Sequence, residues 1–212
     1  MTDEMARLKT PLDAVQLIHE ALRNAACQVK EISGQLKTGN SLQGFKLAFD
    51  SWAMALVFHL NQEDIYVESS LTNALSSGGG ESNHAKKGIT RVLLAFGRVG
   101  RREQMEMIED VFSVLYSEIG NTSLITRTIQ HLHRRIVQMG TTQDNHFEIQ
   151  EALVLPLLRE GMDECQQLEL IKNLLIDNES DDPRWIIDLV SQQSDSSGKI
   201  ALAELESKFA NV

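Results

Sequence analysis

FKLAFDSWAMALVFHLNQE, residues 45–63, decides how this chain folds. Phe45, Phe49, Trp52, Leu56, His59 and Glu63 recur at steps of four, three, four, three and four, the period of one face of an α-helix rather than of a strand. The stripe starts with aromatic rings and ends with an imidazole and a carboxylate. The face that builds a core therefore also carries two groups that a core tolerates only when they have partners. The helix is expected to open at Ser41, run to about Leu75 and stop at Ser76-Ser77-Gly78-Gly79-Gly80, whose glycines free the backbone for a loop.

The flanking sequence reads the same way. Thr10-Pro11-Leu12-Asp13 places an N-cap hydroxyl, a proline at the first helical position and an acid at the third, a helix start. Val15, Leu22, Ala26, Val29 and Leu36 then form an apolar stripe that includes His19 and ends near residues 34–39. A third helix is expected from Ser82 or Asn83, presenting His84, Gly88, Val92 and Ala95 inward and weakening at Gly97 and Gly100. Its continuation over 102–119 carries Met105, Ile108, Val111 and Leu115, with the methionines as core filler. After Gly120-Asn121 a fourth stretch carries Ile129, Leu132, Ile136, Met139, Gln143, His146, Gln150, Leu153 and Leu157 and ends near Gly161. Beyond it come a helix to about Ile176, a turn over 177–183, a loop over 192–198 and two short amphipathic segments.

The expected fold is all-α: an up-down four-helix bundle over 1–162, with additional C-terminal helices over 163–212 packed on it. Composition agrees, since 212 residues with 42% hydrophobic and 24% charged content lie in the globular range. Three prolines leave almost nothing to break a long helix. No apolar run is long enough for a membrane span and no basic-then-apolar leader opens the chain, so the expected compartment is the cytoplasm. Cys27 and Cys165 show no metal-finger or redox spacing and are expected to be reduced, small buried apolar residues. A net charge of -10 argues against nucleic-acid and membrane partners. The clusters Arg98/Arg101/Arg102 and Arg134/Arg135 read as solvated helix faces.

Four of the six histidines, His19, His59, His84 and His146, fall on the expected interior, one per helix. A single core histidine is commonly satisfied by a hydrogen bond, but four at one level need a common partner, and a metal ion serves them all. Glu63, four residues after His59, lies about 40° around the helix from it and reaches the same place. Glu151 follows His146 by five residues, about 140° on an ideal helix, and reaches the site only with a long side chain or a local distortion. Gln150, at the four-residue spacing, is an alternative oxygen ligand or hydrogen-bond partner.

These residues resemble the hemerythrin and hemerythrin-like (HHE cation-binding) domains over roughly 12–160. The likeness rests on His19 in LIHEALR, His59 and Glu63 in FHLNQED, His84 in NHAKKGI, and His146 with Glu151 in DNHFEIQEALVLPLL. The resemblance implies two irons bridged by two carboxylates and an oxygen species, with Glu63 and Glu151 as bridges. His19 and His59 would serve one iron, His84 and His146 the other. It further implies binding of dioxygen or a related small ligand such as peroxide or nitric oxide, in oxygen sensing, oxidative-stress handling or iron homeostasis. Imidazole and carboxylate also accept zinc or manganese, so the resemblance alone selects iron.

The sequence departs from the family at Gly88, where oxygen carriers have a second histidine on the third helix. The gap favours a reactive di-iron enzyme, peroxidase-like or oxidase-like, as the alternative function; His133 is the nearest substitute ligand, and His131 has no assigned role. A ferritin-like carboxylate site needs E-x-x-H on two helices, and only Glu81 to His84 fits. A metal-free helical interaction module leaves the inward histidines unexplained. The glycines at 78–80 lack P-loop spacing, and the acidic turn from Asp177 lacks the glycine and terminal glutamate of a calcium loop.

Overall fold

The computed structural model describes residues 8–39, 41–76, 82–118 and 126–211. Among them there is no strand, and the chain forms seven helices. A 3-10 turn, Pro11–Asp13, leads into α1, Ala14–Gln35. α2 runs Gln43–Gln62, passes through a π-helical turn at Glu63–Val67 and continues as Glu68–Ser76. α3 is a single helix, Ser82–Glu118. α4 runs Thr126–Ile149, takes its own π-helical turn at Gln150–Val154 and ends as Leu155–Gly161. α5 (Glu164–Leu175), α6 (Trp185–Gln193) and α7 (Ser196–Lys208) complete the chain, followed by a 3-10 turn at Phe209–Asn211. The loops expected around 77–80 and 120–121 lie outside the described residues.

The four long helices close on one another. α1 packs on α2 and α4, and α3 packs on α4 and on both parts of α2. The stripe of α2 is the densest part of the core: Phe45, Phe49, Trp52 and Leu56 are fully buried, and Phe49 makes edge contacts with Trp52 and Phe112. Burying a side chain of this size is worth roughly 1.5–3 kcal/mol. Trp52 donates its indole Nε1–H to Gln143 Oε1 at 2.8 Å, which ties α2 to α4 one step from the histidines. The C-terminal helices share the same core. α5 packs on the Pro11–Asp13 turn and on α2, α6 packs on α1, and Trp185 meets Phe58 edge-on at 5.7 Å. Among the described residues no helix is long and apolar enough to cross a membrane.

Several expectations are corrected. The first helix starts as expected with Thr10 at the N-cap and Pro11 first, but the cap is made by the Asp13 carboxylate, which accepts from the amides of Lys9 and Thr10, while the Thr10 hydroxyl has no partner among the described residues. Cys27 and Cys165 are exposed free thiols, not buried apolar residues. The loop before the last helix is shorter than 192–198, because Asp195 caps α7 by accepting from the Gly198 amide at 2.8 Å. Asp177 closes its turn by accepting from the Glu179 amide and the Trp185 indole, so its oxygens serve the fold.

The largest correction concerns α3, which does not weaken at Gly97 and Gly100 and over its first half turns a different face inward, while Ile108, Val111 and Leu115 are buried as expected. Gly88, Val92 and Ala95 are exposed. The inward stripe is Thr90, Leu94, Gly97, Arg101, Gln104, Ile108, Val111 and Leu115, again at steps of four and three. Four of its eight members are polar or lack a side chain, so a search for apolar periodicity passes over it.

Candidate metal centre

His19, His59 and Glu63 meet in the dry interior, each nearly or wholly excluded from solvent. α1 supplies the first and α2 the other two, one turn apart. One ligand atom from each lies within 4.8 Å of the other two. His59 Nε2 approaches Glu63 Oε1 to 2.7 Å, and His19 Nε2 stands 3.9 Å from the same oxygen. None of these three atoms has a hydrogen-bond partner among the described residues. The 2.7 Å approach lacks hydrogen-bond alignment, so it is a convergence of two donor atoms on one point and not a bond between them. Leaving such groups buried and unsatisfied costs about 1–3 kcal/mol each, and more for charged ones. A cation seated among them removes that cost. The donor set, two imidazole nitrogens and a carboxylate oxygen, suits a first-row divalent metal.

His146, from α4, reaches the other side of the carboxylate, its Nε2 2.8 Å from Glu63 Oε2. Glu63 thus turns one oxygen toward His19 and His59 and the other toward His146, as a carboxylate placed between two positions would. Burial pushes the Glu63 carboxyl upward, but the neighbouring His59 and His146, with the hydrogen bond from His146, outweigh it and hold it well below the usual range. For His59, burial lowers the imidazole against the opposing pull of Glu63, which favours the neutral, ligating form.

Glu151 is elsewhere. Expected as the second bridge, it lies on the far edge of the His19 ring, with Oε1 2.7 Å from Nδ1 and accepting from Arg23 at 2.9 Å. The His19 hydrogen bond, then burial in opposition, then Arg23 set its carboxyl, which lies below the usual value. An ionised Glu151 accepts, so His19 Nδ1 carries the proton and Nε2 presents a lone pair to the site. This carboxylate holds the His19 ring in place and is not brought into the group of three. The π-helical turn over Gln150–Val154 lies mostly beyond the five-residue gap from His146, and Glu151 meets His19 and not Glu63.

His84 is in the first turn of α3, and its side chain lies outside the described residues. Gly88, Val92 and Ala95, which were expected to face inward, are exposed, and a Cβ at Gly88 would meet nothing within 4 Å. His133 is not a replacement ligand: its Nδ1 pairs with the Ser33 hydroxyl at 2.9 Å. His131 pairs with Asp110 at 3.1 Å. Gln150 is buried and lines a cavity beside Glu63 and His146. Arg101, read as solvated, is only 12% exposed and pairs with Asp64.

Two site residues escaped the sequence reading. Phe147 is fully buried and stacks flat on His19 at 3.9 Å, with its edge toward His59 at 5.7 Å. Arg23 also lies over that ring, 5.4 Å from its centre. Phe147 was visible as the residue four after Gln143, and Arg23 as the one four after His19.

Both π-helical turns begin at the site. The Glu68 amide donates to the Glu63 carbonyl and the Leu155 amide to the Gln150 carbonyl, five residues back in each case. Such turns are rare and gather at functional sites. Comparison with known protein families, with curated proteins and with solved structures returns no match for this chain.

Proposed function

We propose that this protein is a hemerythrin-like non-haem iron protein that binds dioxygen or a related small ligand such as peroxide or nitric oxide. The observation that carries the reading is the convergence of three unpartnered, buried donor atoms, His19 Nε2, His59 Nε2 and Glu63 Oε1. The ring of α1 to α4 supports a four-helix bundle of the kind the resemblance implies. In this reading His19, His59 and Glu63 hold one iron, while Glu63 and His146 begin a second position. Bound iron supplies a redox-active Lewis acid with positions open to a small ligand. The chain's own residues orient and exclude water: Glu151 fixes the tautomer of His19, and Phe147 covers the imidazoles from below.

A second reading, peroxidase-like or oxidase-like turnover, is favoured by one observation. The side of Glu63 and His146 away from His19 opens on a cavity, so a reactant has room there. Anaerobic purification with metal analysis and visible spectra before and after oxygen tests the first reading. One to two irons per chain and a new charge-transfer band are expected; no metal after iron-replete expression refutes it. Turnover of peroxide by the iron-loaded protein decides for the second.

A further inference from the structure

The inward stripe of α3 changes character where it passes the site. Gly97 stands where its neighbours on the stripe have side chains, and the gap opposite Glu63 and His146 is a cavity of about 240 Å³. Its walls are Val67, Leu71, Leu93, Leu94 and Val154, and the exposed Val99 and Ile149 stand at its mouth. An apolar cavity of about 150 Å³ takes a benzene molecule, so this one exceeds the needs of a diatomic gas many times over. Most of the charges that reach it are already matched. Arg101 pairs with Asp64, Arg98 with Glu68, and Glu63 with His146, while Glu103 is exposed. An anionic occupant would meet no unmatched positive charge among these residues, and the one carboxylate left, Glu103, is exposed to solvent, whereas Thr142, Asn145 and Gln150 offer neutral hydrogen-bonding groups.

We infer that this cavity is a binding site for a small uncharged organic molecule, mainly apolar and the size of one or two rings, held against Glu63 and His146. As a substrate pocket it rests on the metal-centre reading; as a binding site it does not. Gly97 is the residue that creates the space. A Cβ there would meet only the tip of Arg101, at 3.2 Å, so a larger residue fits the helix once that flexible side chain shifts, and its remaining atoms enter the cavity.

The test uses fluorobenzene and the metal-free full chain, observed by fluorine NMR. Saturable binding is expected, with magnetisation transfer from the methyl groups of Leu71, Leu93 and Leu94, and Gly97→Leu should weaken it by about tenfold or more. No saturable binding, transfer only from methyl groups elsewhere, or unchanged affinity in a folded Gly97→Leu protein would overturn the proposal. The transfer experiment on the wild-type chain decides even if the variant does not fold. Repeating the titration with cobalt separates the two readings. Fluorobenzene binding without cobalt uptake leaves the pocket standing and removes the metal centre; cobalt uptake without fluorobenzene binding does the reverse.

Discussion

His59 Nε2 lies 2.7 Å from Glu63 Oε1, one turn along the same helix, yet the two are not aligned to hydrogen-bond. Replacing Glu63 by Gln keeps the shape and removes the charge. The expected result is loss of divalent-metal binding by a hundredfold or more, roughly 2.7 kcal/mol, with helix content unchanged. Calorimetric titration with cobalt or ferrous ion checks this, and unaltered affinity would place the metal elsewhere.

Glu151 separates two accounts of the site. As the group that orients His19, its replacement by Ala should weaken metal binding by about 10- to 100-fold and leave the stoichiometry unchanged. As a bridging ligand, its loss would match that of Glu63 and change the number of ions per chain. Metal analysis of the two variants side by side distinguishes these outcomes, and the hydrogen bond of 2.7 Å to Nδ1 favours the first.

Removing metal should destabilise the fold, because the unpartnered atoms of His19, His59 and Glu63 then face one another in a dry space. At free metal one hundred times the dissociation constant, linkage gives about 2.7 kcal/mol in favour of the loaded chain. Thermal melts with metal and with chelator measure the difference, which should vanish in Glu63→Gln.

Trp52→Phe removes the only indole that reaches Gln143 among the described contacts and leaves a buried acceptor empty. A cost of about 2 kcal/mol or more is expected from the unsatisfied oxygen and the small void together. Urea unfolding reads it, and a change within experimental error would mean the core closes around the gap.

Asp195 carries a pH dependence of known sign. The Gly198 amide, then the Ser197 hydroxyl, hold its carboxyl below the usual 3.8. A depressed folded value means the stabilisation is fully present above the unfolded value and fades as pH falls through the folded one. Asp195→Ala should therefore lower the melting temperature at neutral pH, and the gap to wild type should narrow in strongly acidic solution. A gap that is constant with pH would show that the carboxylate's charge plays no part.

The helices and half of the site were legible because burial there is written in large side chains. The stripe from Phe45 to Glu63 needs no structure to interpret, and His19 follows from the apolar residues around it. α3 was misread because its inward face is Thr90, Gly97, Arg101 and Gln104, polar or bare, while Val92 is apolar and outside. Glu151 was assigned as a bridge by the resemblance, against a five-residue spacing that placed it off the inward face, and neither tells which edge of an imidazole a carboxylate meets. Cys27 and Cys165 were judged by residue type, and surface position overrode it.

The two π-helical turns hold one residue more per turn than the helix around them, and the segments on either side still face the same core: Leu60 and Leu71 on α2, Phe147 and Leu158 on α4. The surplus residue is therefore separable from the architecture. Deleting Ile65, whose side chain is 56% exposed, would let α2 heal into an ordinary helix with its neighbours in place. A single codon's removal would then change how the helix leaves Glu63 while sparing the scaffold, and the same single step run backwards describes how a regular bundle could acquire such a turn.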